Sequence, residues 1–172
     1  MAAVATQVEV ASRGEVATGN KLTMIVFGGE MDRAIAAFNI ATGAAASGME
    51  VTMFFTFWGL QALKKPAHTG KSAMGRMLGW FLKDVDGLGP SKMNFGGAGR
   101  WMFKQMMKSH NVTSVPELRA LASELGVKML ACQMSMDVME IQREDLIDDV
   151  QGVAGVAAML EEAAHSKITL FI

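Results

Sequence analysis

The chain has 172 residues, of which 51% are hydrophobic and 19% are charged, and its formal net charge is -1. This length fits one domain with a sizeable core, and the apolar content excludes a mainly disordered chain. A single cysteine, Cys132, excludes a disulfide scaffold, and the near-neutral charge excludes a global basic field for nucleic acid.

No apolar run reaches the roughly 18 residues that a membrane-spanning helix requires. The longest run, residues 51–63, contains Thr52, Thr56 and Gln61. Residues 1–20 lack the basic and apolar regions of a signal peptide, and their small residues predict a loosely ordered leader. We therefore expect a cytoplasmic protein, in which a lone thiol stays reduced.

Apolar runs alternate with helical patterns from residue 21 onward. Residues 21–27 predict a strand, residues 30–47 predict a helix that Gly48 ends, and residues 49–55 predict a second strand. This order is typical of the βαβ unit of a parallel sheet.

The same alternation returns after residue 110. It predicts a helix from the N-cap Ser114 to residue 125, a strand over 127–131, a short helix over 133–141, a brief strand within 145–150, a helix over 153–165 and a strand over 167–172. The fold class is therefore α/β, a three-layer sandwich with a mainly parallel sheet of four to six strands. Residues 21–172 form one such domain.

Residues 64–110 differ in composition and predict a helical and loop insertion. Residues 64–108 hold nine basic and two acidic residues, six methionines and two tryptophans, and short amphipathic helices are expected over 72–83 and 98–109. Burying this apolar surface stabilises by about 25 cal/mol per Å², so we expect a homo-oligomer with the insertion partly buried between subunits. The helix over 72–83 also has the pattern of an interfacial membrane helix, but membrane association is the less favoured alternative.

Cys132 is the candidate nucleophile. It follows the strand over 127–131, and functional sites of open parallel sheets lie at the carboxyl ends of strands. A helix that starts near Gln133 would direct the N–H groups of Met134 and Ser135 at the sulfur and favour the thiolate, the nucleophilic form. The alternative interpretation is a buried apolar cysteine without a role in chemistry.

Three segments resemble a known family: residues 21–60, residues 92–108 with the sequence KMNFGGAGRWMFKQMMK, and residues 127–141 with VKMLACQMSMDVMEI. Together they resemble the DsrE/DsrF-like family, in its larger branch with a methionine- and glycine-rich insertion, over residues 21–172. The resemblance implies a sulfur-relay protein whose strand-end cysteine, here Cys132, accepts sulfane sulfur as a persulfide and passes it on. It implies separate sulfur donor and acceptor proteins of the sulfur-carrier or rhodanese type, a trimer or hexamer, and no cofactor.

Two glycine-rich turns are further candidates. Gly28 and Gly29 follow the first strand and would line the Cys132 pocket, with Asp32 as a helix cap, although a tight turn without a ligand explains them as well. A second loop, NFGGAGR, offers an anion or partner contact, or is a flexible loop. Its candidate residues are Asn94, Gly96, Gly97 and Arg100.

The histidines predict no metal site, because His68, His110 and His165 lie far apart without ligands at suitable spacing. Residues 137–149 carry six acidic residues and one arginine. They are expected to pair with the basic insertion within one chain, between subunits, or with a carrier protein, or to form a solvated face. Two alternatives to sulfur transfer stay open: a non-catalytic docking or regulatory subunit, and a peripheral membrane protein.

Overall fold

The computed structural model describes residues 19–66, 69–82, 84–92 and 95–172. Its centre is a five-stranded sheet in the order β4-β3-β2-β1-β5, in which every neighbouring pair is parallel. The strands are β1 (Gly19–Val26), β2 (Glu50–Phe55), β3 (Lys128–Cys132), β4 (Gly152–Ala154) and β5 (Ser166–Phe171). The helices of the described residues are α1 (Met31–Ala46), α2 (Ala73–Phe81), α3 (Ala98–Ser109), α4 (Val115–Glu124), α5 (Gln133–Met139) and α6 (Val156–Ala164). The predicted α/β fold with a mainly parallel sheet is confirmed.

Helices lie on both faces of the sheet. Strands β1 to β4 are added in one direction, so right-handed crossovers place α1 and α4 on one face, where they pack together. The chain then returns from β4 to β5 across the sheet, which places α6 on the other face. Side chains alternate accordingly: Met53 and Phe55 belong to the main core with α1 and α4, whereas Phe54 packs with Met159 of α6.

The brief strand predicted within residues 145–150 is wrong, because the fourth strand lies at Gly152–Ala154. In the segment before β4, the side chain of Arg143 donates to the carbonyl oxygens of Ile147, at 3.2 Å, and Val150, at 2.8 Å. These hydrogen bonds hold the segment in a turn. Leu146 forms an isolated antiparallel bridge with Lys64 instead of a strand. As a result, the helix expected from residue 153 begins only at Val156.

The insertion is attached to the domain by polar contacts at several positions. Ser91 contacts the carboxylate of Asp32 through its N–H and hydroxyl at 2.8 and 2.6 Å, and Lys71 and Ser72 contact the carboxylate of Glu140. Within the insertion, Lys64 Nζ donates to the carbonyl oxygen of Leu82 at 2.8 Å, and Arg100 donates to that of Gly87 at 2.7 Å. Since Glu140 directly follows α5, its carboxylate ties the start of α2 to the helix that follows Cys132.

Candidate functional site

Cys132 is the last residue of β3 and the N-cap residue of α5. Its extended backbone, with φ -76 and ψ 117, joins the strand directly to the helix. Its side chain is 1% exposed and packs with Phe54 of β2 and Met159 of α6. The sulfur therefore lies at the carboxyl edge of the sheet, on the face that α6 covers.

Burial and hydrogen bonding act on the thiol in opposite directions. Burial is the largest single influence and raises the pKa of Cys132, because it disfavours the charged thiolate. The hydroxyl and N–H of Ser135, the hydroxyl of Thr56 and the N–H of Met134 favour the thiolate and together outweigh burial, so the pKa of Cys132 lies below the ordinary value of a thiol. The N–H groups of Met134 and Ser135 are among these groups, and their role in stabilising a thiolate nucleophile at Cys132 stays a prediction.

Thr56 is a site residue that the sequence analysis missed. It follows the last residue of β2, and the pairing of Phe55 with Ala131 places it beside Cys132. Its hydroxyl lies 2.8 Å from that of Ser135, and both residues are buried. The sequence signal for Thr56 was its position directly after a predicted strand, since neighbouring parallel strands bring their carboxyl ends to one edge of the sheet.

The backbone beyond Thr56 adopts an uncommon conformation. Phe57 has a φ of 44°, a left-handed value that costs energy in a bulky residue. Its ring contacts that of Phe27 at a centroid distance of 5.7 Å, and Phe27 stacks on Phe171 at 5.9 Å. These aromatic contacts hold the chain at the point where it leaves β2 beside the cysteine.

Comparison with known proteins identifies the family. The model of the DsrE/DsrF/DrsH-like family matches residues 18–171. The chain belongs to this family. It is 44% identical over 155 residues to the uncharacterized protein YrkE of Bacillus subtilis, covering 88% of this chain and 96% of the relative. It is 42% identical over 160 residues to the sulfur carrier protein DsrE2 of Allochromatium vinosum, covering 88% and 98%.

Solved structures show the same fold at low sequence identity. The YchN protein of E. coli aligns with a TM-score of 0.56 at 10% identity, covering 88% of this chain and 98% of YchN. Protein MTH1491 of Methanobacterium thermoautotrophicum aligns with a TM-score of 0.51 at 10% identity, covering the same shares. At 10% identity the likeness to these two structures concerns the fold alone.

The first glycine-rich turn of this DsrE/DsrF/DrsH-like chain lies at the carboxyl edge of β1, and β2 separates it from β3 and Cys132. A Cβ on Gly29 would overlap the backbone oxygen of Trp58, so the turn is packed against the segment after Thr56. Asp32 is not the predicted helix cap, because Glu30 is the N-cap of α1; Asp32 lies in the first turn, and its carboxylate accepts from Ser91 of the insertion. The role of Gly28, Gly29 and Asp32 in a Cys132 pocket stays a prediction.

The second glycine-rich loop belongs to the insertion. Gly96 and Gly97 have positive φ values of 66° and 113°, and Gly97 is the N-cap of α3. Arg100 donates to the carbonyl oxygen of Gly87, within the insertion. Asn94 lies outside the described residues. Anion or partner binding at this loop stays a prediction.

Titratable side chains form no obvious metal centre in the described ranges, where no group of three or more His, Cys, Asp or Glu is placed to hold an ion. His165 Nδ1 lies 2.8 Å from the carbonyl oxygen of Glu161, and His68 falls outside the described residues.

The acidic segment of residues 137–149 contacts the basic insertion within the chain. Lys65 contacts Asp148 at 2.8 Å, and Glu140 accepts from Ser72.

Helix α2 presents two methionine side chains to solvent. Its buried side is formed by Gly75 and Gly79, whereas Met74 and Met77 are 77% and 58% exposed. Arg76, in the same helix, is exposed as well. We call Met74 and Met77 the α2 outer face. Among the described helices, none combines the length and hydropathy that crossing a bilayer requires.

Proposed function

We propose that the protein carries or transfers sulfur, with Cys132 binding sulfane sulfur as a persulfide and passing it to a partner protein. The observation that carries the proposal is the single cysteine at the end of β3, held by uncharged hydrogen-bond donors that favour its thiolate. Membership of the DsrE/DsrF/DrsH-like family and the likeness to a protein named as a sulfur carrier support it.

The proposed loading step is a thiolate exchange. The thiolate of Cys132 attacks the outer sulfur of a donor persulfide, an S–S bond forms to Cys132, and the donor S–S bond breaks with the donor thiolate as leaving group. Unloading is the same step with an acceptor thiolate as nucleophile, which restores Cys132. With one cysteine in the chain, a second thiol must come from another molecule.

The proposal includes separate donor and acceptor proteins of the sulfur-carrier or rhodanese type. Cys132 is 1% exposed, so the edge of the sheet at α5 or α6 must open before a sulfur donor can reach the sulfur. The exchange requires a reduced thiol, which fits the cytoplasm.

We also propose that the protein is a homo-oligomer, a trimer or a hexamer. The exposed α2 outer face supports this, because an apolar surface of this kind is better covered by another subunit. The same surface favours the second candidate function, a docking or regulatory subunit in which Cys132 has no chemical role.

Intact mass spectrometry tests the sulfur-carrier proposal. The protein is incubated with thiosulfate, polysulfide or a persulfidated donor protein, and a gain of one or two sulfur atoms is expected. The Cys132→Ser variant, which is nearly isosteric, is expected to fold and to show no gain. A wild-type protein without a mass gain, or a gain that persists in Cys132→Ser, contradicts the proposal and leaves the docking subunit as the better reading.

A further inference from the structure

Two hydroxyl groups from different elements meet at the sulfur of Cys132. The hydroxyl of Thr56, after β2, and that of Ser135, in α5, lie 2.8 Å apart, and both residues are buried. Ser135 is the third residue of the helix that Cys132 caps, and the pairing of Phe55 with Ala131 sets Thr56 beside Cys132. Both hydroxyls therefore adjoin the thiol, where they favour the thiolate. The two oxygens and the sulfur form a triangle of polar atoms.

The number of hydrogens in this triangle changes with the state of the cysteine. A hydroxyl carries one hydrogen and donates it to one neighbour at a time. With a protonated thiol, three hydrogens serve three contacts. When the thiol proton leaves, two hydrogens remain, and the charged sulfur is the stronger acceptor. The hydroxyl hydrogens are then drawn to the sulfur at the expense of the contact between the two oxygens.

Uncharged groups surround the sulfur and stabilise its thiolate. In the part of the chain that the structure describes, the groups that act on the pKa of Cys132 are hydroxyl and N–H groups, and no charged side chain is among them. The packing neighbours are apolar, including Phe54, Leu130 and Met159. A thiolate at this position therefore depends on the orientation of nearby dipoles rather than on a cation.

We infer that Thr56 is a positioning residue for the Cys132 thiolate, whose hydroxyl hydrogen bonds to Ser135 beside the thiol and turns to the sulfur when the thiol proton leaves. Ser135 and Thr56 then both donate to the thiolate, and either hydroxyl partly replaces the other as a donor. The inference rests on the proposed function in one respect only: sulfur transfer is the reaction in which the thiolate acts as the nucleophile.

Titration of the thiolate by its ultraviolet absorbance tests the inference on the full chain. The sequence has one cysteine and no tyrosine, so the signal belongs to Cys132 without overlap from a tyrosinate. Thr56→Val removes the hydroxyl and keeps the branched shape, and Ser135→Ala removes the second hydroxyl. Each single change is expected to raise the pKa of Cys132 by about one unit or less.

The double variant gives the sharper result. Because a remaining hydroxyl donates to the sulfur in each single variant, the rise in the pKa of the double variant is expected to exceed the sum of the two single rises. Thr56→Ser, which keeps the hydroxyl, is expected to retain most of the wild-type pKa. Thr52→Val, which changes a buried threonine within β2, is the matched control and is expected to leave the pKa of Cys132 unchanged.

An unchanged pKa in Thr56→Val, or strictly additive single effects, overturns the inference. Circular dichroism checks folding, and Thr56→Ala provides a second hydroxyl-free variant if Thr56→Val does not fold. The titration requires no sulfur donor, so it is independent of the mass gain that tests sulfur loading. A wild-type protein that takes up sulfur while Thr56→Val titrates normally refutes the role of Thr56 alone.

Discussion

At Cys132, burial and hydrogen bonding compete for one sulfur atom. Burial excludes water from the thiol, and the donors from Thr56, Met134 and Ser135 replace part of the solvation that a thiolate loses. Hydrogen-bond donors that are fixed in place are already oriented when the charge forms. A nearly inaccessible cysteine is therefore compatible with a thiolate nucleophile, provided that a partner exposes it.

The lowered pKa of Cys132 predicts a dependence of stability on pH. Since the native pKa lies below that of the unfolded chain, the native state gains stability as pH rises from the native pKa to about 8.5, and loses this gain as pH falls. The difference in free energy of unfolding between wild type and Cys132→Ser is expected to increase over that window. Urea denaturation at a series of pH values measures it, and a difference that is constant with pH contradicts the prediction.

At the scale of elements, Glu140 couples the cysteine helix to the insertion. It ends α5 with a left-handed φ of 51°, and its carboxylate accepts the N–H groups of Lys71 and Ser72 at the start of α2. Gly75 is required for this approach, since a Cβ there would overlap the carboxylate. These contacts connect the start of α2 to the end of the helix that begins beside Cys132.

Glu140→Gln is expected to loosen α2 without unfolding the domain. The hydroxyl of Ser72, then the N–H groups of Ser72 and Lys71, lower the pKa of Glu140, so the attachment is complete above the ordinary pKa of 4.5 and is lost as pH falls through the lowered value. Hydrogen exchange of residues 71–82 is expected to accelerate in the variant, and in the wild type at acidic pH. Glu144→Gln, in the same acidic run but exposed, is the control, and equal exchange in both variants contradicts the assignment.

Sequence patterns predicted the elements whose signals are local. Ser114 with Glu117 forms the capping box of α4, and the insertion helices lie near their predicted positions. The three-residue strand β4 was misplaced, because its position depends on pairing with β3 and on the turn that Arg143 holds. Thr56 was missed for a related reason: its approach to Cys132 depends on which strands are neighbours, which a single sequence does not encode locally.

At the scale of the whole molecule, the exposed α2 outer face predicts self-association. Replacing both Met74 and Met77 by Gln is expected to convert a trimer or hexamer into smaller species, because apolar contact between subunits is lost at about 25 cal/mol per Å². Light scattering coupled to size exclusion at micromolar concentration measures the mass. Leu121→Gln, an exposed apolar side chain of α4, is the matched control.

A monomeric wild-type protein under these conditions contradicts the oligomer proposal. If the double variant keeps the wild-type mass, another surface holds the subunits together. Binding of the wild type to anionic vesicles, lost in the double variant, identifies the α2 outer face as a lipid contact instead.

The pairing of β1 with β5 has a consequence for biosynthesis. Gly19 lies opposite Ser166, so β1 pairs with a strand that is synthesised after all the other described strands. Until residues 166–171 leave the ribosome, β1 presents an unpaired edge with Leu22 and Met24, which is a template for wrong pairing. The sheet is therefore completed only after β5 has been synthesised, and until then the edge of β1 must be kept from wrong pairing.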